Sequence, residues 1–209
     1  MGTEHDNVDL ALILAFDGSA SVTFESFNLI AGGTAAALRD PVVSAGLISG
    51  PNRASLCALL LWSAANAQEV LVDWTRIASP ADLEYFAQQV DNVPRIVAAG
   101  TTAIGAALLA CETLLRDAPA RATREIIDIA GDGRSNEGPD PAPIRDRLVD
   151  AGVTINGLCI LHEEPDLLTS YTRDVIGGPG AFAVTCREYK DFTEAMRQKL
   201  TREIKGPIV

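Results

Sequence analysis

Residues 10–21 read LALILAFDGSAS: an apolar run from Leu10 to Phe16, then the polar loop Asp17-Gly18-Ser19-Ala20-Ser21. A strand that is apolar at every position is covered on both faces, as in the centre of a parallel sheet, whereas a half-exposed strand alternates apolar and polar residues. Beyond the loop, apolar residues recur at helical spacing from about 23 to 38. The stretch therefore predicts a central parallel strand, a polar loop at its carboxyl end and a covering helix.

The alternation of strand and helix continues along the chain. Further strands are predicted at 54–62, 68–77, 125–130, 153–161 and 181–185, and further helices at 80–90, 104–115, 144–151, 166–176 and 191–204. The short link 64–67 indicates a hairpin, and hence an antiparallel edge strand. The sequence therefore predicts an α/β fold: a doubly wound, mostly parallel six-stranded sheet with one antiparallel edge strand and helices on both faces.

The size and composition of the chain fit one domain. With 209 residues, 47% of them hydrophobic, the chain can bury a core of its own. We expect a single domain over residues 9–205, preceded by a disordered or tag-like tail at 1–8. The net charge of −11 argues against a nucleic-acid partner, because a phosphate backbone requires clustered Lys and Arg. No apolar run approaches the roughly 20 residues that span a bilayer.

The start of the sequence leaves the cellular compartment open. Residues 1–9 lack the apolar stretch of a secretory signal. Two expectations follow: a cytosolic protein, or an exported protein from which a signal has been removed.

Four cysteines, Cys57, Cys111, Cys159 and Cys186, are widely spaced and have no histidine nearby. Structural zinc sites need clustered thiolates, so we expect no zinc site. Buried free thiols are the expected state. The alternative is a disulfide between Cys159 and Cys186, if their strands are neighbours, in an oxidising compartment.

Three polar loops, 17–21, 100–102 and 131–133, each lead into a helix at what we expect to be one rim of the sheet. Their side chains offer carboxylates and hydroxyls, without imidazole or thiolate. Such a set suits a hard cation, and Mg²⁺ prefers six oxygens, some of them from water. Asp17, Ser19 and Ser21 alternate with small residues, so their side chains can converge on one ion. Taken singly, each loop also fits a simpler role, as a helix cap or an ordinary turn.

The order of these loops resembles the metal-ion-dependent adhesion site (MIDAS) of von Willebrand factor A domains. Asp17-x-Ser19-x-Ser21 follows an apolar strand, a threonine precedes the middle helix, and Asp132-Gly133 follows a later strand. The segments 102–108, 153–158 and 175–182 and the final helix are similar to a bacterial family within that superfamily, designated DUF1194. The resemblance covers about residues 8–204.

The resemblance implies a metal site and a binding function. Its ligands would be Asp17, Ser19 and Ser21 from the first loop, Thr102 from the second, and Asp132 from the third, either directly or through water. Thr101 is the alternative to Thr102, which keeps the family's spacing to Ile104-Gly105. The implied cofactor is Mg²⁺, or Mn²⁺ or Ca²⁺, and the implied partner is a protein or peptide that supplies a carboxylate to the ion. The resemblance further implies a non-enzymatic protein with an exported or periplasmic location.

The alternative function is a Mg²⁺-dependent phosphohydrolase similar to the haloacid dehalogenase superfamily. Asp17 ends a strand, as the nucleophile of that superfamily does, and residues 131–136 (GDGRSN) resemble its late acidic motif. Those enzymes carry an acid/base carboxylate two residues after the nucleophile. Because this chain has Ser19 there, we expect a binding protein rather than an enzyme.

Other polar and aromatic residues are expected to have structural roles. His162-Glu163-Glu164 fits a solvated loop, with a second metal site as the alternative. Trp62 and Trp74 lie on predicted strands and are expected to pack in the core or at the sheet edge. Asn136-Glu137-Gly138 would either shape the metal rim or turn the chain.

Overall fold

The computed structural model describes residues 7–205. Its strands are β1 (Asn7–Asp17), β2 (Ser55–Trp62), β3 (Gln68–Ile77), β4 (Arg121–Gly131), β5 (Thr154–Ile160) and β6 (Ala183–Cys186). Its helices are α1 (Phe24–Leu38), α2 (Pro41–Leu47), α3 (Pro80–Asp91), α4 (Ile104–Arg116), α5 (Pro141–Asp150), α6 (Leu167–Ser170) and α7 (Phe192–Lys205). A π-helical turn, Tyr171–Val175, follows α6. None of the helices between residues 7 and 205 is long and apolar enough to cross a bilayer.

The strands form one sheet in the order β3-β2-β1-β4-β5-β6. β1 lies in the interior of the sheet and pairs in parallel with both β2 and β4, and the pairs β4–β5 and β5–β6 are also parallel. Only β3, at the edge, runs antiparallel to its neighbour β2. The predicted doubly wound fold with one antiparallel edge strand is therefore confirmed.

Side chains of β1 enter two cores, one on each face of the sheet. Leu12, Leu14 and Phe16 pack with apolar residues of α1, α3 and α7. Ile13 and Ala15 pack with apolar residues of α4 and α5. Because successive side chains of a strand point to opposite faces, the unbroken apolar run fits only a strand that is covered on both sides.

The order of the strands reverses at β1. The chain passes from β1 to β2 on one side and later places β4 on the other side. In open α/β sheets, ligands bind beyond the carboxyl ends of the strands at such a point. Phe16 pairs with Ala130 near the ends of β1 and β4, so the first and third polar loops leave the sheet side by side.

Several elements differ from the sequence-based expectation. β1 begins at Asn7, two residues before the expected start of the domain, because it pairs with Arg121 of β4 beyond the apolar run. The expected helix over 166–176 consists of the short α6 and the π-helical turn, and α2 was not predicted. Residues 1–6 of the expected tail lie outside the described residues.

A buried ionic network attaches α7 to the sheet. The Lys199 ammonium lies 2.5 Å from a carboxylate oxygen of Asp128 in β4 and 2.5 Å from one of Glu203 in α7. The Asn156 amide in β5 donates to the same Glu203 oxygen at 2.8 Å. All four side chains are buried, and a buried charge is tolerated only when it is paired in this way. The network therefore fixes the position of α7 on β4 and β5.

The four cysteines are free and buried. β5 and β6 are neighbours, as a disulfide between Cys159 and Cys186 would require. The two side chains, however, belong to the cores on opposite faces of the sheet, Cys159 with α4 and Cys186 with α7. A disulfide needs Cβ atoms that point towards each other, so the alternative of a Cys159–Cys186 bond is wrong.

Candidate metal centre

The first polar loop wraps around the end of β1. Asp17, the last residue of the strand, is fully buried, and its Oδ1 accepts a hydrogen bond from the main-chain N–H of Ser19 at 2.7 Å. The hydroxyls of Ser19 and Ser21 lie 3.2 Å apart. Ser19 is buried and Ser21 is exposed. The alternation Asp17-x-Ser19-x-Ser21 thus brings its two hydroxyls together, with one of them facing solvent.

The third loop meets the first loop at Asp132, which follows β4 and is fully buried. The Ser21 hydroxyl donates to Asp132 Oδ1 at 2.8 Å, across 111 positions of sequence. The Tyr189 hydroxyl donates to Asp132 Oδ2 at 2.7 Å. Both carboxylate oxygens of Asp132 are therefore held by hydroxyl donors, one from the first loop and one from the segment before α7.

The main chain of the second loop is hydrogen-bonded to Asn136, which follows the third loop by three positions. The Thr102 N–H donates to Asn136 Oδ1 at 2.9 Å, and the Thr102 carbonyl accepts from the Asn136 N–H at 2.8 Å. The Thr102 side chain is buried, and its hydroxyl oxygen lies 3.6 Å from the point where a Cβ would stand on Gly133. Thr102 therefore faces the third loop from within the site.

Thr101 has a different environment from Thr102. It is exposed, and its hydroxyl donates to the Glu137 carboxylate, which also accepts from the main-chain N–H of Ala65. Asn136 and Glu137 are predicted either to shape the metal rim or to turn the chain. In the structure they form hydrogen bonds that hold the second loop in place. Of the two adjacent threonines, Thr102 is the one with its hydroxyl towards the third loop.

The simpler roles as helix caps are taken by other residues. Thr23 caps α1, accepting from the Ser26 N–H at 3.1 Å. The N-cap residue of α4 is Ala103, which makes no side-chain cap hydrogen bond. Asp17, Thr101 and Thr102 therefore do not serve as caps.

One buried carboxylate oxygen of the site, Asp17 Oδ2, accepts no hydrogen bond from the described residues. Burial, and next the negative charge of Asp132, raise the pKa of Asp17 from 3.8 to about 7. An unpartnered buried acceptor is costly, and two nearby carboxylates repel each other. A dication would offset both effects, and the donor set of carboxylates and hydroxyls suits Mg²⁺, Mn²⁺ or Ca²⁺.

Arg95, which sequence reasoning did not select, holds the first loop from outside. Its Nη2 donates to the carbonyls of Gly18 at 2.8 Å and of Ser19 at 3.0 Å. The Ala20 N–H donates to the carbonyl of Gly100 at 2.9 Å, which joins the first loop to the second. Neither Arg95 nor Tyr189 carries a local sequence signal, because each acts on residues more than 50 positions away.

Gly131, the last residue of β4, lies very close to the side chains of Tyr171 and Asp17. A Cβ there would lie 2.8 Å from the Tyr171 hydroxyl and 3.0 Å from Asp17 Oδ2. Real Cβ atoms do not approach other heavy atoms this closely. Glycine is therefore required at the end of β4 for Asp17 and Tyr171 to take their positions.

The other residues that the sequence singles out, His162-Glu163-Glu164 and the two tryptophans, make packing contacts, hydrogen bonds or ion pairs with the rest of the domain. His162 is half exposed and lies 3.1 Å from a Glu188 carboxylate oxygen, while Glu164 pairs with Arg134. In the part of the chain that the structure describes, no group of three or more His, Cys, Asp or Glu side chains is placed to hold an ion. Trp62 is fully buried. The indole N–H of Trp74 donates to the carbonyl of Leu114 at 3.1 Å.

Solved structures share the fold. Proximal thread matrix protein 1 from the mussel byssus is 17% identical with a TM-score of 0.71, and the match covers 93% of this chain and 47% of that one. A further structure of it, described as having a zinc-occupied MIDAS motif, is 16% identical with a TM-score of 0.66 and coverage of 95% and 48%. The vWF domain of the type V pili tip protein Mfa5 from Porphyromonas gingivalis is 10% identical with a TM-score of 0.63 and coverage of 97% and 98%. The chain spans about half the length of the mussel protein.

Sequence comparison assigns the family. No curated protein matches the chain. The profile of the family described as "Protein of unknown function (DUF1194)" matches residues 7–208. The fold is that of the von Willebrand factor A domains, and the chain belongs to the DUF1194 family.

Proposed function

We propose that this chain is a metal-ion-dependent binding module of the MIDAS type. It would hold one Mg²⁺, or Mn²⁺ or Ca²⁺, through Asp17, Ser19, Ser21, Thr102 and Asp132. The observation that carries the proposal is the hydrogen bond from Ser21 to Asp132, which brings the first and third loops to one point beside the unpartnered Asp17 Oδ2. Asp132 would bind the ion directly or through a water.

The bound ion would supply a positive charge that accepts one further oxygen ligand from a partner. The protein ligands would contribute two negative charges and several neutral hydroxyls, so the loaded site would be close to neutral. Ser21 is the exposed member of the set, and the partner would therefore approach from its side. We propose a protein or peptide partner that supplies an Asp or Glu carboxylate.

An exported or periplasmic location fits this function. The vWF domain of a pilus tip protein and the matrix protein of the mussel byssus share the fold. We propose an exported or periplasmic location for this chain as well.

Calorimetric titration with Mg²⁺ and Mn²⁺ tests the metal site. We expect one ion per chain in the wild type and no measurable binding after Ser19→Ala/Ser21→Ala, because two neutral ligands are lost. Ser49→Ala is the matched control. Ser49 is exposed, and its hydroxyl donates to the main-chain carbonyl of Gly46. It precedes β2, so it lies towards the amino ends of the parallel strands, away from the three loops. Unchanged metal affinity in the double variant would remove the assignment.

A phosphatase assay separates the binding module from the enzyme alternative. A Mg²⁺-dependent phosphohydrolase of haloacid dehalogenase type would hydrolyse a generic ester such as p-nitrophenyl phosphate, and Asp17→Asn would abolish its turnover. We expect no turnover above the level of the Asp17→Asn variant. Clear turnover that this variant loses would overturn the binding-module proposal.

A further inference from the structure

Two large apolar residues lie exposed on segments that are joined to the first loop: Phe24 follows that loop in the chain, and Ile96 follows Arg95, whose side chain bonds to it. Phe24 is 67% exposed and Ile96 is 58% exposed, whereas most large apolar residues of the domain are buried. Phe24 is the first residue of α1 and follows Ser21 by three positions, so their Cα atoms are at most about 11 Å apart. Pro94, also exposed, lies two positions before Ile96. We call Phe24, Pro94 and Ile96 the apolar patch.

The Arg95 side chain joins Phe24 to the first loop. One guanidinium nitrogen donates to the carbonyls of Gly18 and Ser19, and the guanidinium carbon lies 5.1 Å from the centre of the Phe24 ring. That distance is within cation–π range. The same side chain thus contacts the first loop and the aromatic ring, while the ring remains mostly open to solvent.

Phe24 lies three positions after Ser21, the exposed member of the candidate metal site. Asp17, Ser19, Thr102 and Asp132 are buried, and among the proposed ligands only Ser21 is exposed. A ligand that approaches the ion on the side of Ser21 therefore comes close to Phe24. A partner residue next to the metal-bound carboxylate would therefore meet the patch.

The charge of the chain restricts the partner further. At a net charge of −11, the protein repels a surface that carries many carboxylates. A single carboxylate among apolar and neutral groups avoids this repulsion and still provides the oxygen that the ion requires. The exposed Phe24 ring offers an apolar group of this kind a surface on which to pack.

We propose that the partner is a protein segment in which a single Asp or Glu stands directly beside a bulky apolar residue. The carboxylate would complete the shell of the ion, and the apolar side chain would pack on Phe24 and Ile96. This inference rests on the proposed function and adds to it the chemistry of the partner. Burial of one such side chain corresponds to an affinity gain of about tenfold or more.

An array of immobilised synthetic peptides tests the inference. Each peptide carries a central Glu or, as its control, Gln, flanked either by Leu, Phe or Trp or by Ser and Gly. Binding of the full chain is measured with Mg²⁺ and with EDTA. We expect Mg²⁺-dependent binding to the Glu peptides, about tenfold tighter when the neighbour is bulky and apolar.

Variants locate the preference on the protein. Phe24→Ser and Ile96→Ser should remove the apolar preference and keep the Mg²⁺-dependent binding of Glu peptides, with Mg²⁺ affinity checked by calorimetry. Leu29→Ser is the matched control, because Leu29 is an exposed apolar residue of α1 that is 43% exposed and outside the patch. It should keep the preference.

The outcomes separate the two proposals. If the wild type binds Glu peptides in Mg²⁺ without regard to the neighbour, or if Leu29→Ser loses the preference as Phe24→Ser does, the patch is overturned and the binding module stands. If calorimetry detects the ion but no Glu peptide binds in a Mg²⁺-dependent way, the carboxylate-binding function fails and the patch fails with it.

Discussion

The hydrogen bonds of Asp132 show how one residue outside the three loops, Tyr189, shapes the candidate metal centre. Its two carboxylate oxygens accept from the hydroxyls of Ser21 and Tyr189. Ser21 would turn towards an ion on binding, whereas Tyr189 is not among the proposed ligands and is 8% exposed. Groups that orient a metal ligand from behind commonly contribute 10- to 100-fold to metal affinity. Tyr189 is thus expected to set the orientation of Asp132.

Tyr189→Phe is predicted to weaken Mg²⁺ binding by about tenfold or more, because Asp132 loses a donor that fixes its carboxylate. Calorimetric titration measures the change. Tyr85→Phe, which removes the hydroxyl of an exposed tyrosine in α3, should leave the affinity unchanged. Equal affinities for the wild type and Tyr189→Phe would show that Asp132 is positioned without this hydrogen bond.

The pKa of Asp17, raised to about 7 chiefly by burial, predicts a pH dependence of metal binding. A proton competes with the ion for the carboxylate, so Mg²⁺ affinity should fall by about tenfold for each pH unit below about 7 and level off above it. Calorimetry across this range checks the slope. An affinity that is flat from about pH 5 to 8 would contradict the involvement of Asp17.

The raised pKa of Asp17 also makes the stability of the metal-free domain depend on pH. Between about pH 4 and 7 folded Asp17 holds a proton that the unfolded chain has released, so stability falls as the pH rises through this window. Asp17→Asn should lower that slope and stabilise the metal-free domain above about pH 7 by up to a few kcal/mol. Comparing the two proteins by denaturant unfolding isolates Asp17 from Asp128, whose pKa burial also raises.

Among the elements, α4 depends on a close approach that its sequence does not announce. A Cβ on Gly105 would overlap the carbonyl oxygen of Pro139, which precedes α5, whereas one on Gly32 in α1 would meet no heavy atom nearer than 3.5 Å. Both glycines lie inside helices, where alanine is intrinsically favoured. Alanine at these two positions therefore compares the steric cost of a close contact, at Gly105, with the gain in helix propensity alone, at Gly32.

Gly105→Ala is predicted to destabilise the domain by about 1–3 kcal/mol through overpacking, and Gly32→Ala to stabilise it by about 0.5–1 kcal/mol. Urea denaturation gives both values. Gly105→Ala should also lower Mg²⁺ affinity, because Thr102 lies three positions before it in the segment that would shift. Stabilisation by both substitutions would refute the close approach at Pro139.

Sequence patterns identified the long elements and missed the short or irregular ones. The apolar run of β1 and the period of α4 predicted their elements because each signal repeats over many residues. Helix α2 is seven residues long, too short for a helical period, and its only sequence sign is Asp40 as a cap followed by Pro41. The apolar spacing over residues 171–175 predicts an ordinary helix, because it does not distinguish an α-helix from the π-helical turn Tyr171–Val175 that the structure shows.

At the scale of the molecule, the sheet order brings the three loops together. Strand β1 lies between β2 and β4, and the first and third loops leave its carboxyl edge as neighbours. The loops themselves could be selected from sequence, because oxygen-bearing residues cluster locally after apolar strands. Tyr189 and Arg95 could not, since their contacts join distant segments, Tyr189 to Asp132 and Arg95 to Gly18, and depend on how those segments pack.

The proposed metal centre requires that oxygens from three separate loops surround one hard ion. A crystal structure in the presence of Mn²⁺, with the ion located by its anomalous scattering, tests this most directly. We expect a single strong peak about 2.0–2.6 Å from the hydroxyls of Ser19 and Ser21, the range of oxygen distances for such cations, with Asp17, Thr102 and Asp132 around it. A crystal saturated with Mn²⁺ that shows no peak there, or a peak elsewhere on the chain, would contradict it.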